Sequence, residues 1–408
     1  MRIVFTTLGT LGDLFPLLAL GAALDARGHS VAVATAAAVA DHVRNAGLEW
    51  LPCRPDMGPE EVRVGFADFD HWPTGEGTVS TAPQSDLSGL IRMRIGDLLA
   101  ACHGADLLIH NSGFTGESVA AEALGTPHLR VLIAPERAWS PKHRKFLSEL
   151  ENNGQDSQDT EARNYFDWHQ SCRREIGLPE TPVGGWTGYF ASRAILAASR
   201  HFLTPFDISS WNADVCGFWF HEPRQWVDWQ PGPELAVFME RRPIVLSLSS
   251  QPVPDPSRIV EVHVEAARLL GRPILVQAGW AGLEGADTGD VMFRGFLPQD
   301  WLFARAACVI HHGGAGTTAR ALRHACPMLV EPWGNDQFFN AWMVLKGGWG
   351  TAVNPKKARP AELARLIEAR VLSVETKARA ELIAKRLADE NGIGNAVTTI
   401  GAKLKIPL

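Results

Sequence analysis

Tyrosine is almost missing from this chain of 408 residues: there are two, against fourteen tryptophans. Large aromatic surfaces of that kind suit apolar pockets as well as ordinary core and hinge packing. Cysteine is sparse, with six residues at 53, 102, 172, 216, 308 and 326, no C-x-x-C pair and no Cys/His ligand spacing. That argues against a disulfide scaffold or zinc module and reads as reduced core thiols of a cytoplasmic protein. Nor is there a long apolar run. The longest window, Leu14 to Leu24, is too short to span a bilayer and contains Pro16 and Gly21. The opening M-R-I-V-F-T-T passes at once into Gly9, Gly12 and Asp13, so it reads as a first strand and turn instead of a signal peptide. The net charge of −6 comes without a long basic stripe, which leaves nucleic acid no footprint. The basic cluster Lys142-His143-Arg144-Lys145 has the size of a solvated face, with peripheral contact to an anionic membrane as its other reading.

What the chain does have is glycine at the turns between strands and helices. From Cys308 to Pro332 it reads C-V-I-H-H-G-G-A-G-T-T-A-R-A-L-R-H-A-C-P-M-L-V-E-P, a strand, a loop, a helix and a second strand. Gly313, Gly314 and Gly316 let the backbone approach a ligand and aim its N–H groups one way, at the positive end of a helix. Such a place binds anions. His312 adds a side-chain donor and Thr317 a hydroxyl; the competing reading is a tight turn whose glycines only satisfy geometry. The stretch lacks G-x-x-x-x-G-K-[ST], which disfavours a nucleoside triphosphatase. The first turn, at Gly9 to Asp13, lacks the G-x-G-x-x-G spacing of a nicotinamide dehydrogenase.

At this length two domains of about 200 residues each are expected. Ile3 to Thr7 reads as a buried strand, Leu8 to Asp13 as a loop and Leu14 to Arg27 as a helix closed by Gly28. Strands at Val31 to Thr35, Glu49 to Pro52, Leu107 to Ile109 and His128 to Ile133 alternate with helices, which means parallel strands with helical crossovers. Residues 54–88 read as a long loop region. A second series begins at Ile244 to Leu248 and runs through Pro273 to Val276 and the glycine-rich stretch to helices at Asp336 to Gly347 and Pro360 to Val371. The expected architecture is α/β, two doubly wound Rossmann-like domains at 1–218 and 234–385, with a linker at 219–233 and a C-terminal helix in 386–408 that packs back on the first domain. Ligands in such sheets sit outside the carboxyl ends of the strands. The loops Gly9 to Asp13, Asn111 to Gly116, Ser249 to Asp255 and His311 to Thr317 therefore face one cleft.

Motifs spread over both halves resemble one family. They are G-T-L-G-D-L-F-P-L-L-A-L at 9 to 20 with R-G-H at 27 to 29, A-E-A-L-G-T-P at 121 to 127, H-H-G-G-A-G-T-T at 311 to 318 and E-P-W-G-N-D-Q-F-F-N-A at 331 to 341. Together, in this order, they resemble the nucleotide-sugar-dependent glycosyltransferases of the GT-B fold, family 1, in the bacterial antibiotic, sterol and rhamnolipid branch. The resemblance implies transfer of a sugar from a UDP or dTDP donor to a hydroxyl of an apolar small molecule with inversion, and needs no metal or other cofactor. A nucleotide-sugar epimerase of the same fold and a catalytically idle nucleotide-sugar-binding partner protein are the alternatives.

Residue by residue, the resemblance makes Asp13 the catalytic base, against a plain helix-start carboxylate; it leaves a supporting partner open, with Asn111 and Ser112 in the right loop. His312, Gly314, Gly316 and Thr317 match the donor-diphosphate positions, and Ser250 matches a serine reaching the same phosphates, while His311 is read as structural. Asp336 and Gln337 correspond to the pair that bonds sugar hydroxyls, with a helix cap as the other reading. Trp280, Leu297 and Pro298, with Phe296 beside them, fall where the nucleobase is held, although Trp280 also fits a core position. Phe66, Phe69, Trp72 and Trp139 are the candidate acceptor walls. Asp68-Phe69-Asp70 spells a metal-binding D-x-D from a different fold and is read as coincidence.

Overall fold

Among the described residues, thirteen short strands, most of them buried aliphatic runs, assemble into two all-parallel sheets. The computed structural model describes the chain except residues 9, 57, 59–83, 112–115, 135–148, 150–155, 157, 159, 182–193, 205–212, 335 and 406–408. The first sheet holds β1 (Arg2–Thr6), β2 (Ser30–Thr35), β3 (Glu49–Pro52), β4 (Leu107–His110), β5 (His128–Leu132), β6 (Ala194–Leu196) and β7 (Ala213–Val215), in the order β3-β2-β1-β4-β5-β6-β7. The second holds β8 (Ile244–Ser247), β9 (Ile274–Gln277), β10 (Val291–Arg294), β11 (Cys308–His311), β12 (Met328–Val330) and β13 (Gly350–Ala352), in the order β10-β9-β8-β11-β12-β13. Burial on both faces is what a parallel sheet covered by crossover helices requires. These are two doubly wound α/β domains.

In each sheet the strand order reverses once, between β1 and β4 and between β8 and β11. At such a reversal the two loops leave in opposite directions and open a crevice beyond the strand ends. The loops at Asp13 and Asn111 flank the first crevice, and those at Ser250 and His312 flank the second.

Several boundaries differ from the sequence expectation for local reasons. The first helix spans Leu11–Asp25, three residues earlier than its apolar pattern suggests, because Thr10 caps it. Strands β7, β10 and β13 have three or four residues each, too short for a periodic signal. Helix Thr160–Glu175 falls where the sequence reading placed no element.

The domains share apolar packing at one end. One cluster joins Leu196, Phe202 and Leu203 beside the first sheet to Val309, Phe339 and Leu387 of the second half. The segment after β7 is packed instead of extended, since Phe218 belongs to that shared cluster and Trp219 to the core of the first domain. Helix Gly392–Leu404 buries Ala396, Val397 and Ile400 in the first core, beside Phe5 and Leu17. All six cysteines are buried and none of them is in a disulfide. Among the described residues no helix is long and apolar enough to cross a membrane.

The chain passes between the domains twice, and the two crossings touch backbone to backbone. A Cβ on Gly392 would lie 2.2 Å from the Phe218 carbonyl oxygen, and one on Gly217, which has φ +106, would lie 2.8 Å from the Glu390 side chain. Glu390 accepts the Phe218 N–H at 3.0 Å, and the Asn395 amide donates to the Cys216 carbonyl at 3.0 Å. Backbone cannot yield there as a side chain can. Gly392→Ala is therefore expected to cost about 2 kcal/mol or more, measured as a drop in Tm or denaturation midpoint; a change within error would show that the crossing relaxes freely.

Candidate active site

Asp13 is the third residue of helix Leu11–Asp25, and its carboxylate is held at both oxygens. The Thr10 N–H donates to Oδ2 at 3.0 Å, while the Gly12 N–H donates to the Thr10 hydroxyl at 3.2 Å, a reciprocal capping box. Across the β1/β4 reversal, Asn111 Nδ2 donates to Oδ1 at 3.2 Å. A carboxylate offers about four lone-pair positions, so capping and a further contact are compatible. Burial pushes Asp13 up to about 6 against the lowering pull of the Thr10 and Asn111 bonds. Asn111 is thus bonded to Asp13, while Ser112 lies outside the described residues.

The second domain presents the glycine-rich turn. His311, fully buried, accepts the Gly313 N–H on Nδ1 at 3.1 Å. Burial and the neighbouring His312 lower its pKa to about 3, so the ring is neutral and its proton sits on Nε2. His311 is structural, and it shapes the turn. Gly313 has φ +90, and a Cβ there would meet Val330 at 2.8 Å. At Gly314 the reason for glycine is the neighbouring ring: a Cβ would lie 2.3 Å from His312 Nε2. Burial holds His312 neutral as well, lowered to about 4, and its Nδ1 has no protein partner among the described residues.

Helix Ala315–Arg323 begins at Gly314, and Thr318 makes its first intrahelical bond, N–H to the Gly314 carbonyl at 3.0 Å. The amides of residues 315 to 317 precede that bond and carry the positive end of the helix. A Cβ at Gly316 would meet nothing within 4 Å, which leaves this first turn open. The Thr317 hydroxyl accepts from Gln299 Nε2 at 3.5 Å. Ser250 lies in the loop after β8 and is buried; Ser249 before it has φ 53, and a Cβ on Gly279 would lie 2.3 Å from the Ser249 carbonyl oxygen.

Of the remaining donor positions, Asp336 is partly exposed and makes no capping bond, so the cap reading fails for it. Burial first, and the charge of Asp13 second, raise Asp336 to about 7, although Asn340 lowers it. Asp336 feels the charge of Asp13, and helix Leu11–Asp25 touches helix Ala315–Arg323 directly, so these parts of the two domains face each other. Gln337 departs from its expected role at the sugar. Its Oε1 accepts the N–H groups of Trp333 at 2.8 Å and Gly334 at 3.3 Å, and its Nε2 donates to Gln251 at 2.7 Å, which makes it a buried strut between loops. Trp280 donates its N–H to the Ser249 carbonyl at 2.8 Å and lays its half-buried side chain against the core of the first domain. Leu297 is half-buried, its carbonyl receiving Gln277 Nε2 at 3.4 Å, and Pro298 precedes helix Gln299–Phe303. Phe66, Phe69, Trp72 and Trp139, with Asp68 and Asp70, lie outside the described residues.

Sequence reasoning missed Gln251 and Gln299. Neither belongs to a motif, and each acts by reaching another loop. Among the described residues no cluster of three or more His, Cys, Asp or Glu is placed to hold a metal ion.

Residues 3–140 match the glycosyltransferase family 28 N-terminal domain, and residues 284–404 match the erythromycin biosynthesis protein CIII-like C-terminal domain. A sterol 3-beta-glucosyltransferase of Candida albicans is 27% identical over 435 residues, covering 99% of this chain and 28% of that protein. One from Arabidopsis thaliana is 28% identical over 432 residues, covering 97% of this chain and 67% of the plant protein. The chain therefore spans little more than a quarter of the length of the fungal relative. Among solved structures, the glycosyltransferase of kitacinnamycin has the same fold, with a TM-score of 0.72 over 100% of this chain and 99% of its own at 19% identity.

The raised pKa of Asp336 has a sign that can be checked. A carboxyl moved from 3.8 to about 7 contributes stability that is fully present below about pH 4 and is lost as pH rises through about 7. Asp336→Asn escapes that loss. Its stability relative to wild type should rise by about 1–2 kcal/mol between roughly pH 5 and 8 and level off above; a Tm difference that does not change with pH would contradict the shift.

Proposed function

We propose, for a chain that belongs to the GT-B glycosyltransferases, that it moves a sugar from a UDP or dTDP donor to a hydroxyl of an apolar small molecule with inversion at the anomeric carbon. The observation that carries the reading is the meeting, in one cleft, of a carboxylate on the first domain with an open helix N-terminus on the second. Each supplies what the other lacks. A hydroxyl is a weak nucleophile until a base takes its proton, and a diphosphate leaves only when its growing charge is met.

In the proposed reaction the acceptor O–H donates to Asp13, and its proton passes to that carboxylate as the oxygen attacks the anomeric carbon. The bond from that carbon to the diphosphate oxygen breaks on the opposite face. The departing charge meets the amides of residues 315 to 317, the His312 ring and the Thr317 hydroxyl, with Ser250 on the facing loop. One displacement inverts the carbon. Asn111 fixes the orientation of Asp13 and keeps its pKa from rising further. Asp336 accepts hydroxyls of the donor sugar. For the acceptor, the relatives whose names specify sterol, together with the aromatic residues of the first half, favour a sterol or another hydroxylated polycyclic or lipid-like molecule.

Asp13→Asn should lower kcat by about 100- to 10,000-fold while nucleoside diphosphate affinity stays near wild type; substantial turnover would remove Asp13 as the base. Since the base must be ionised, the wild-type rate should fall as pH drops through about 6. His312→Ala should weaken binding of nucleoside diphosphate and donor by about 10- to 100-fold in calorimetry, and unchanged affinity would take His312 out of the diphosphate site.

A further inference from the structure

Three loops of the second domain meet at the start of helix Gln337–Gly347, and two side-chain amides join them. Gln337 ties that start to Gln251, beside Ser250. Asn340, 2% exposed, works on the other side. Its Nδ2 donates to the Gly313 carbonyl at 2.8 Å and to Asp336 Oδ2 at 3.0 Å. Both partners are acceptors, one in the diphosphate turn and one the cleft carboxylate. Bridging them takes a single atom with two hydrogens to give, which a primary amide nitrogen has and a hydroxyl or a carboxylate lacks.

We propose that Asn340 is a positioning residue that fixes the span between the diphosphate turn and Asp336, so that the sugar of the donor and its diphosphate are read by one rigid unit. The inference rests on the transferase reading above and adds to it a residue that touches neither sugar nor phosphate. Gly313 packs tightly enough to transmit the constraint: a Cβ there would come within 3.0 Å of the Gln337 carbonyl oxygen, so the turn and the helix start are in backbone contact. The same bond also favours the ionised form of Asp336, because a donor on a carboxylate stabilises its charge. Facing Asp336 from the opposite domain is the charge of Asp13, which works against ionisation; Asn340 opposes that effect from within its own helix.

A residue that merely held the fold would affect nucleoside diphosphate and nucleotide sugar alike, and a positioning residue separates them. The test is calorimetry on the full chain with UDP against UDP-glucose and dTDP against dTDP-glucose, over a range of pH, for wild type, Asn340→Ala and the isosteric Asn340→Asp. In wild type the affinity ratio of nucleotide sugar to nucleoside diphosphate should fall as pH drops through about 7, where Asp336 takes up a proton. In Asn340→Ala the nucleoside diphosphate affinity should stay within about 3-fold while the ratio drops about 10-fold, the scale of one charge-assisted hydrogen bond, and its pH midpoint should move upward. Asn340→Asp should show the same split, which guards against a cavity effect in the alanine variant. An unchanged ratio and midpoint overturn the assignment. So does a loss of both ligands in equal measure, since Asn340 is then only a strut of the turn. If wild type binds neither pair, the transferase reading falls and the inference goes with it; if wild type binds and the variants show no split, only the Asn340 assignment falls.

Discussion

Each wall of the cleft stands on an ion pair shut away from water. In the first domain Arg94, in helix Gln84–Cys102, meets Glu117 at 2.9 Å with both side chains 0% exposed, and also donates to the Thr6 hydroxyl at 2.9 Å. In the second, His263, in helix Pro256–Leu269, meets Glu331 at 3.0 Å, again with both at 0%. Breaking such a pair from one side costs about 3–5 kcal/mol because it strands a buried charge. Burial opposes a proton on His263, and the Glu331 carboxylate with the Ile259 carbonyl outweighs it, so the pKa of the ring is raised. Both glutamates follow strands of the sheet on the cleft side of the fold, Glu117 after β4 and Glu331 after β12. Glu117 opens the helix that follows the Asn111 loop, and Glu331 follows β12 and leads into Asp336. A crossover helix is thus pinned to a cleft loop in both halves, and the loops can carry strained or weakly bonded groups because their bases cannot shift.

Above those anchors the same topological feature is used for opposite chemistry. At the β1/β4 reversal the chain supplies an acid group, Asp13, steadied by an amide from Asn111. At the β8/β11 reversal it supplies backbone amides and neutral imidazole. Neutrality matters at His312: a buried ring that ionised near pH 7 would change the charge of the turn with pH, whereas one lowered to about 4 keeps it constant. The titrating groups are left to the carboxylates, at about 6 for Asp13 and about 7 for Asp336. Domain against domain, an electron-rich edge faces an electron-poor one, which is the polarity a displacement needs.

Much of this was legible in residue identity. The glycines at 313 and 314 are required, the first by φ +90 and the second by the His312 ring, and both reasons lie within two residues of sequence. Asp13 was legible as a cleft group and, equally, as a helix-start carboxylate; the structure makes it both, because the capping box uses only part of the oxygen capacity. What could not be read is whatever depends on reach between loops. Gln337 looks like a sugar ligand beside Asp336, yet Gln251, 86 residues away, turns it inward. Gln299 finds Thr317 across 18 residues, and Trp280 finds the other domain. No periodicity or spacing encodes such partners. The missed strands β7, β10 and β13 failed for a different reason, being three or four residues long and held by neighbours already in place.

Any movement of the domains has to respect where they are already joined. The apolar cluster that includes Phe202, Phe218 and Phe339 spans both halves, and Phe202 stacks on Trp349 at 5.8 Å between ring centres. Beside it the two crossings lie too close for a side chain at Gly392 or Gly217. Separating those surfaces exposes large apolar area at about 25 cal/mol per Å², and Arg320 donating to the His221 carbonyl, with Phe15 against His221 at 5.4 Å, adds to the join. A rotation that keeps the cluster intact therefore pivots at the crossings. The like charges of Asp13 and Asp336 oppose each other when both are ionised, and that repulsion works alongside burial to hold Asp336 protonated.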